Sequence, residues 1–137
     1  MALPSGLPEH VGDNEPLARF LTSRSLFTST AVKASAFISN QPDGRASVFR
    51  QGADDRDALF RLGRTNLGER VLHGVAICSA RQIRAAELDV TASEPPARHA
   101  DITGWPSDPA NPELAKSRRK ERALVLAQHA ALVRPNA

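Results

Sequence analysis

The 137-residue chain has no tyrosine, one tryptophan and one cysteine. Each scarcity excludes something. With Cys78 alone there is no internal disulfide, no CxxC pair and no cysteine-based zinc set, and no HxxxH spacing occurs either. No metal is therefore expected. The chain also lacks GxGxxG after a strand-like run, GxxxxGK[ST] and GxSxG. These absences remove the usual dehydrogenase, kinase and nucleophile-elbow hydrolase readings, and no cofactor is expected. No apolar run approaches the roughly 18 residues a bilayer span requires, so no membrane partner is expected. The first residues carry no basic stretch followed by an apolar one, as a secretory signal would, and a cytoplasmic location is the simplest expectation. Five phenylalanines and one tryptophan leave the core to Leu, Val, Ile and Ala, which favours closely packed helices lying on a sheet.

What is present fits one globular unit. Hydrophobic residues make up 41% of the chain, too many for a disordered segment, and the length suits a single domain. The net charge is +3, and it is local. Lys116, Arg118, Arg119, Lys120 and Arg122 against Glu121 supply +4, which leaves about −1 for everything else.

Residues 1–14, with Pro4, Gly6, Pro8 and Gly12 and no period, read as a flexible N-terminal tail before a single domain over 15–137. A short helical turn is expected at Pro16–Leu21, followed by a Ser/Thr-rich loop. Residues 31–40 alternate and predict a half-buried strand, which a Pro42-Asp43-Gly44 turn joins to a second strand over 45–51 as a hairpin. Asp54 or Asp55 caps a helix over 56–66. A strand follows at 71–78, then a short helix at 80–87 opened by a capping box from Ser79 and Gln82, then a strand at 89–93 in a βαβ-like arrangement. Asn111 and Pro112 open a last helix reaching residue 133, its apolar second half buried and its basic first half projecting. The expected fold is α+β: a small, mostly antiparallel sheet packed by two short helices and a long C-terminal helix.

Between the last strand and the last helix lies Glu94-Pro95-Pro96-Ala97-Arg98-His99-Ala100-Asp101-Ile102-Thr103-Gly104-Trp105-Pro106. In an extended segment His99 and Asp101 face the same way, and a carboxylate-oriented imidazole suits general acid–base chemistry. Simple packing of His99 and Trp105 on the body accounts for the same residues without chemistry. His73 with His99 and an arginine, Arg50 or Arg19, would make a metal-independent phosphodiesterase-type site. One imidazole would be the base and the other the acid, with the arginine holding phosphate. A structural histidine at a strand end is the plainer account of His73. The basic stretch 116–122 could lie along phosphates, although it has no neighbouring aromatics for stacking single strands; a solvated helix face is the alternative.

The runs Leu17-Ala18-Arg19-Phe20-Leu21-Thr22-Ser23, Val32-Lys33 with Ala36-Phe37, Ser47-Val48-Phe49-Arg50, Leu72-His73-Gly74 and Pro95-Pro96-x-Arg98-His99-Ala100-Asp101-Ile102-x-Gly104-Trp105-Pro106 resemble a pattern shared by small, uncharacterised bacterial proteins. The resemblance spans roughly residues 16–133. It implies a bacterial, free-standing, single-domain protein, and it carries over no catalytic residue. The favoured functional expectation is a non-catalytic binding or accessory module. It would engage a protein or nucleic acid through Arg98, His99 and Trp105, or through Lys116, Arg118, Arg119, Lys120 and Arg122. Two readings compete with it: a nuclease or phosphoryl-transfer enzyme using His99 and His73, with Arg50 and Asp101 as further candidates, and a structural subunit of a homo-oligomer.

Overall fold

Local hydrogen bonds start the helices where the sequence expects them. The computed structural model describes residues 2–135. The Asp55 carboxylate accepts from the Ala58 amide and opens α1 (Arg56–Leu67). Ser79 and Gln82 close their reciprocal capping box at the start of α2 (Ala80–Ala85). Asn111 accepts from the Leu114 amide, with Pro112 as the first residue of α3 (Pro112–His129). Each side chain satisfies an amide that a helix start leaves without a partner.

Six strands, β1 (Pro16–Leu21), β2 (Ala46–Arg50), β3 (Gly74–Ser79), β4 (Asp89–Ala92), β5 (His99–Thr103) and β6 (Ala131–Val133), pair antiparallel in the order β4-β5-β2-β1-β3-β6. The architecture is α+β, with the long helix at the C-terminal end as expected. Helices α2 and α3 and two 3-10 turns cover one face, over a core that includes Leu17, Leu21, Phe37, Val48, Ile83 and Leu126. The other face meets α1 through Ala18, Phe20, Phe49, Leu59, Phe60 and Val75. Helix α1 lies so close that a Cβ on Gly63 would stand 2.7 Å from Leu72 Cδ2 and 3.0 Å from the Phe20 ring.

Several expectations are corrected. Pro16–Leu21 is not a helical turn but a central strand, paired on both sides. Residues 31–40 form no strand. They contribute one bridge, Phe27 with Val32, and a 3-10 turn at Ala34–Phe37, so β2 has no hairpin partner there and pairs with β1 and β5 instead. Strands β3 and β4 are separated by β1, β2 and β5, so α2 carries the chain across three strands rather than linking neighbours. Helix α3 ends at His129 and is followed by a short edge strand. Its apolar end is not buried all round: Ala123, Leu126 and Ala127 are buried, while Leu124 is 50% exposed and Val125 36%.

The N-terminal segment is docked, not a free tail. Val11 is 1% exposed, Ser5 bonds to the Glu94 carboxylate through its amide and hydroxyl, and the carbonyls of Pro8 and His10 accept from Arg50.

Cys78 lies beneath α3, its thiol directed at the Leu126 carbonyl 3.6 Å away, and burial pushes its pKa up to about 12. A thiol held protonated in the core is a poor nucleophile. We expect a thiol reagent to label Cys78 at neutral pH only as fast as the sheet–α3 layer opens, with full labelling in denaturant. Rapid labelling of the native protein, read by mass spectrometry, would contradict this packing.

Candidate functional site

Two cavities on opposite faces of the sheet bring together part of the candidate residues. The larger, about 430 Å³, lies between α3 and the loop that follows β5. Gly104, with φ of +82°, ends β5 and turns Trp105 inward, where it is 7% exposed and its Nε1 donates to the Ile102 carbonyl at 2.9 Å. Gly44, with φ of +79°, lets the opposite loop close on the indole; a Cβ there would be 3.0 Å from Trp105 Cβ. Trp105, Phe37, Ile38 and Pro109 form apolar walls, and Lys116 and Lys120 stand along the rim of α3. Their i,i+4 spacing puts both ammonium groups on one helix face.

The five basic residues of α3 divide into two sets. Arg119 donates through Nε to the Pro106 carbonyl at 2.7 Å, and Arg122 binds Glu87 at 2.7 Å and the Ala86 carbonyl at 3.4 Å. These two brace the helix against its neighbours. Lys116, Arg118 and Lys120 are exposed and have no ion-pair or hydrogen-bonding partner among the described residues. The acid in the cleft lining, Asp108, already accepts from the Ala110 and Asn111 amides at 3.1 Å each.

The second cavity, about 280 Å³, lies between the C-terminal end of α1 and strands β1, β2 and β5. Strand alternation places His99 on this face, edge-on to Phe49 with centroids 5.2 Å apart. His99 Nδ1 is 3.1 Å from the Ser93 carbonyl, and Nε2 is 2.7 Å from Ser47 Oγ. A carbonyl can only accept, so Nδ1 carries the hydrogen and Nε2 of the neutral ring accepts from the Ser47 hydroxyl. An imidazole oriented by one acceptor and bonded to a hydroxyl is the arrangement by which a serine oxygen can be activated. Asp101 Oδ1 is 4.0 Å from Nε2, and Asp101 does not line the cavity. Arg19 and Arg70 do line it. Ser47 was not picked out from the sequence.

The remaining candidates lie elsewhere. Arg50 is fully buried on the other face, bonded to Glu15 and the N-terminal segment, and does not reach His99. Arg98 adopts φ of +70° and spends its guanidinium on the carbonyls of Arg50 and Gln51 and on Asp54, bracing the entry to β5. His73 precedes β3. The ladder sets it three strands across and four residues along from His99, on the order of 20 Å, so the two histidines do not share a cavity. Among the described residues no group of three or more His, Cys, Asp or Glu is arranged to hold a metal ion, and no helix is long and apolar enough to cross a membrane.

The fold and its two cavities define an α+β domain with a basic, apolar-walled cleft on one face and a Ser–His pair on the other. In comparisons with known proteins, no family model, no curated protein and no solved structure matches the chain.

Proposed function

We propose that this protein is a binding module whose cleft between Trp105 and α3 receives an acidic, partly apolar segment of a protein partner. The observation behind this reading is that Lys116 and Lys120, without partners among the described residues, flank apolar walls made by Trp105, Phe37, Ile38 and Pro109. Apolar side chains of the partner would fill the cleft while its carboxylates meet the rim. Rim charges of this kind set partner choice and association rate more than total affinity. Nucleic acid fits less well, because the 7% of Trp105 left exposed at the cleft wall is too little ring for stacking a base, and the cations on α3 without a partner among the described residues number three. A homo-oligomer would have to rely on exposed side chains such as Leu124 and Val125, and isolated apolar residues are ordinary on a protein surface.

Selection of a random peptide library on the full chain tests this directly. Peptides enriched in Asp or Glu beside Leu, Ile or Phe are expected. Their affinity should fall about tenfold or more in the double variant Lys116→Glu/Lys120→Glu. That variant should change folding stability by no more than about 0.5 kcal/mol, since both side chains are exposed and unpaired. Failure to enrich any such peptide would overturn the proposal. So would steeply salt-dependent binding of sheared duplex DNA or RNA through the same two lysines.

A further inference from the structure

We propose that the cavity between α1 and strands β1, β2 and β5 is a second, separate site that binds a small phosphomonoester. Its phosphate would sit between Arg19 and Arg70, beside Ser47 and His99, and its organic group would rest on Phe20, Phe49 and Leu67.

Charge is the first support. The lining contains two arginines and a histidine and, among the described residues, no carboxylate. Arg19 is fixed in place: Nε donates to the Ala36 carbonyl at 2.9 Å and Nη1 to the Ser47 carbonyl at 2.8 Å. Its Nη2 has no partner among the described residues. Burial, and then the positive charge of Arg70, lowers the pKa of this guanidinium, the direction expected where two cations share a space without a counter-ion. Arg70 follows the last turn of α1, where the helix dipole favours a cation, and its side chain also has no partner among the described residues.

The kind of anion follows from donor number and space. The Nη2 of Arg19, the guanidinium of Arg70, the Thr22 hydroxyl and the second amide hydrogen of Asn66, whose first goes to the Leu62 carbonyl, are available to several oxygens at once. A phosphomonoester dianion matches two cations and offers three terminal oxygens, whereas a carboxylate offers one charge and two. Arginine is well suited to such an oxyanion because its fork binds two oxygens together. At about 280 Å³ the cavity falls just below the roughly 300–1,000 Å³ of drug-sized ligand sites, so it suits a small molecule and not a chain segment. The apolar floor of Phe20, Phe49, Leu67 and Pro96 calls for an aromatic or aliphatic group on the ester.

Calorimetric titration of the full chain with phenyl phosphate, inorganic phosphate and benzoate tests the site. Saturable binding of phenyl phosphate is expected, with inorganic phosphate weaker for want of the ring and benzoate weaker for want of charge. Arg70→Ala should weaken phenyl phosphate binding about tenfold or more, and Arg70→Lys should keep part of it. Arg70 is exposed and braces nothing through its side chain, so these variants should fold as the parent does. Binding should also shift the imidazole resonances of His99 and should survive Lys116→Glu/Lys120→Glu. Absence of saturable binding, an affinity unchanged in Arg70→Ala, benzoate binding as tightly as phenyl phosphate, or loss of binding in the α3 double variant would each overturn the proposal.

Discussion

Glu15→Ala is expected to destabilise the protein more than Arg50→Met, although the two residues form one ion pair. The Arg50 side chain is 1% exposed and that of Glu15 27%. Arg50 sends Nε and Nη2 to the two carboxylate oxygens at 2.8 and 2.9 Å, and Nη1 to the Pro8 carbonyl at 2.6 Å. Removing Glu15 leaves a guanidinium in the interior with only the Pro8 and His10 carbonyls as hydrogen-bond partners, which costs about 3–5 kcal/mol. Removing Arg50 leaves a carboxylate that can turn to water, while methionine fills most of the space. That change should cost about 1–3 kcal/mol. Denaturant midpoints at constant slope report the order. The reverse order, or a loss below about 1 kcal/mol in both variants, would mean that the pair does not hold the N-terminal segment.

The same pair sets an acid limit. Burial pulls the Glu15 carboxyl upward, but the Arg50 hydrogen bond, the Gly12 amide and the Arg50 charge outweigh it and hold the group below its ordinary value near 4.5. A carboxyl depressed in the folded state stabilises the fold above its unfolded pKa, and that contribution disappears as pH falls through the folded value. Residues 2–14 should therefore become open to proteolysis on acidification below about pH 4.5, before the sheet itself unfolds.

The helices were legible because their signals are local. Asp55, Ser79 with Gln82, and Asn111 with Pro112 each act within four residues, and each caps where expected. Strand β1 was not legible. It is covered on both faces, with Leu17 and Leu21 on one and Ala18 and Phe20 on the other, so the apolar–polar alternation that marks a half-buried strand is lost. The i,i+4 spacing of Leu17 and Leu21 then imitates a helix. Residues 31–40 show the converse: their alternation is regular, yet Ala36 and Phe37 are both buried on consecutive positions of a 3-10 turn.

The candidate sites divide along the same line. Lys116 and Lys120 could be read directly because a helix brings residues four apart to one face. Partnership among the charges could not, since Arg119 is tied to Pro106 and Arg122 to Glu87, the second of these 35 positions away. Ser47 and His99 are 52 positions apart and meet only because β2 lies beside β5. A hairpin over 31–51 would have given β2 a different neighbour. Arg19 was legible as a residue type able to hold phosphate, but its position beside His99 depends on β1 being a strand. Long-range pairing, not residue chemistry, was the missing information.

Trp105→Ala should cost about 3–5 kcal/mol and remove the apolar wall of the α3 cleft in one step. Trp105→Phe keeps much of the ring but leaves the Ile102 carbonyl without the indole donor, and should cost about 1–2 kcal/mol. Folding alone would not separate a role in the cleft from a role in the core, because the indole belongs to both. Gly44 provides the separation. A methyl at Gly44 meets Trp105 Cβ at 3.0 Å and also strains a backbone at φ of +79°. In Gly44→Ala both penalties act; in a Trp105→Gly background, which removes Cβ together with the indole, only the backbone strain remains. The two substitutions should therefore be non-additive by about 1 kcal/mol, with the double variant less unstable than the sum. Simple additivity would show that the loop at Gly44 does not close on the indole, and the cleft would lose the wall that its apolar specificity requires.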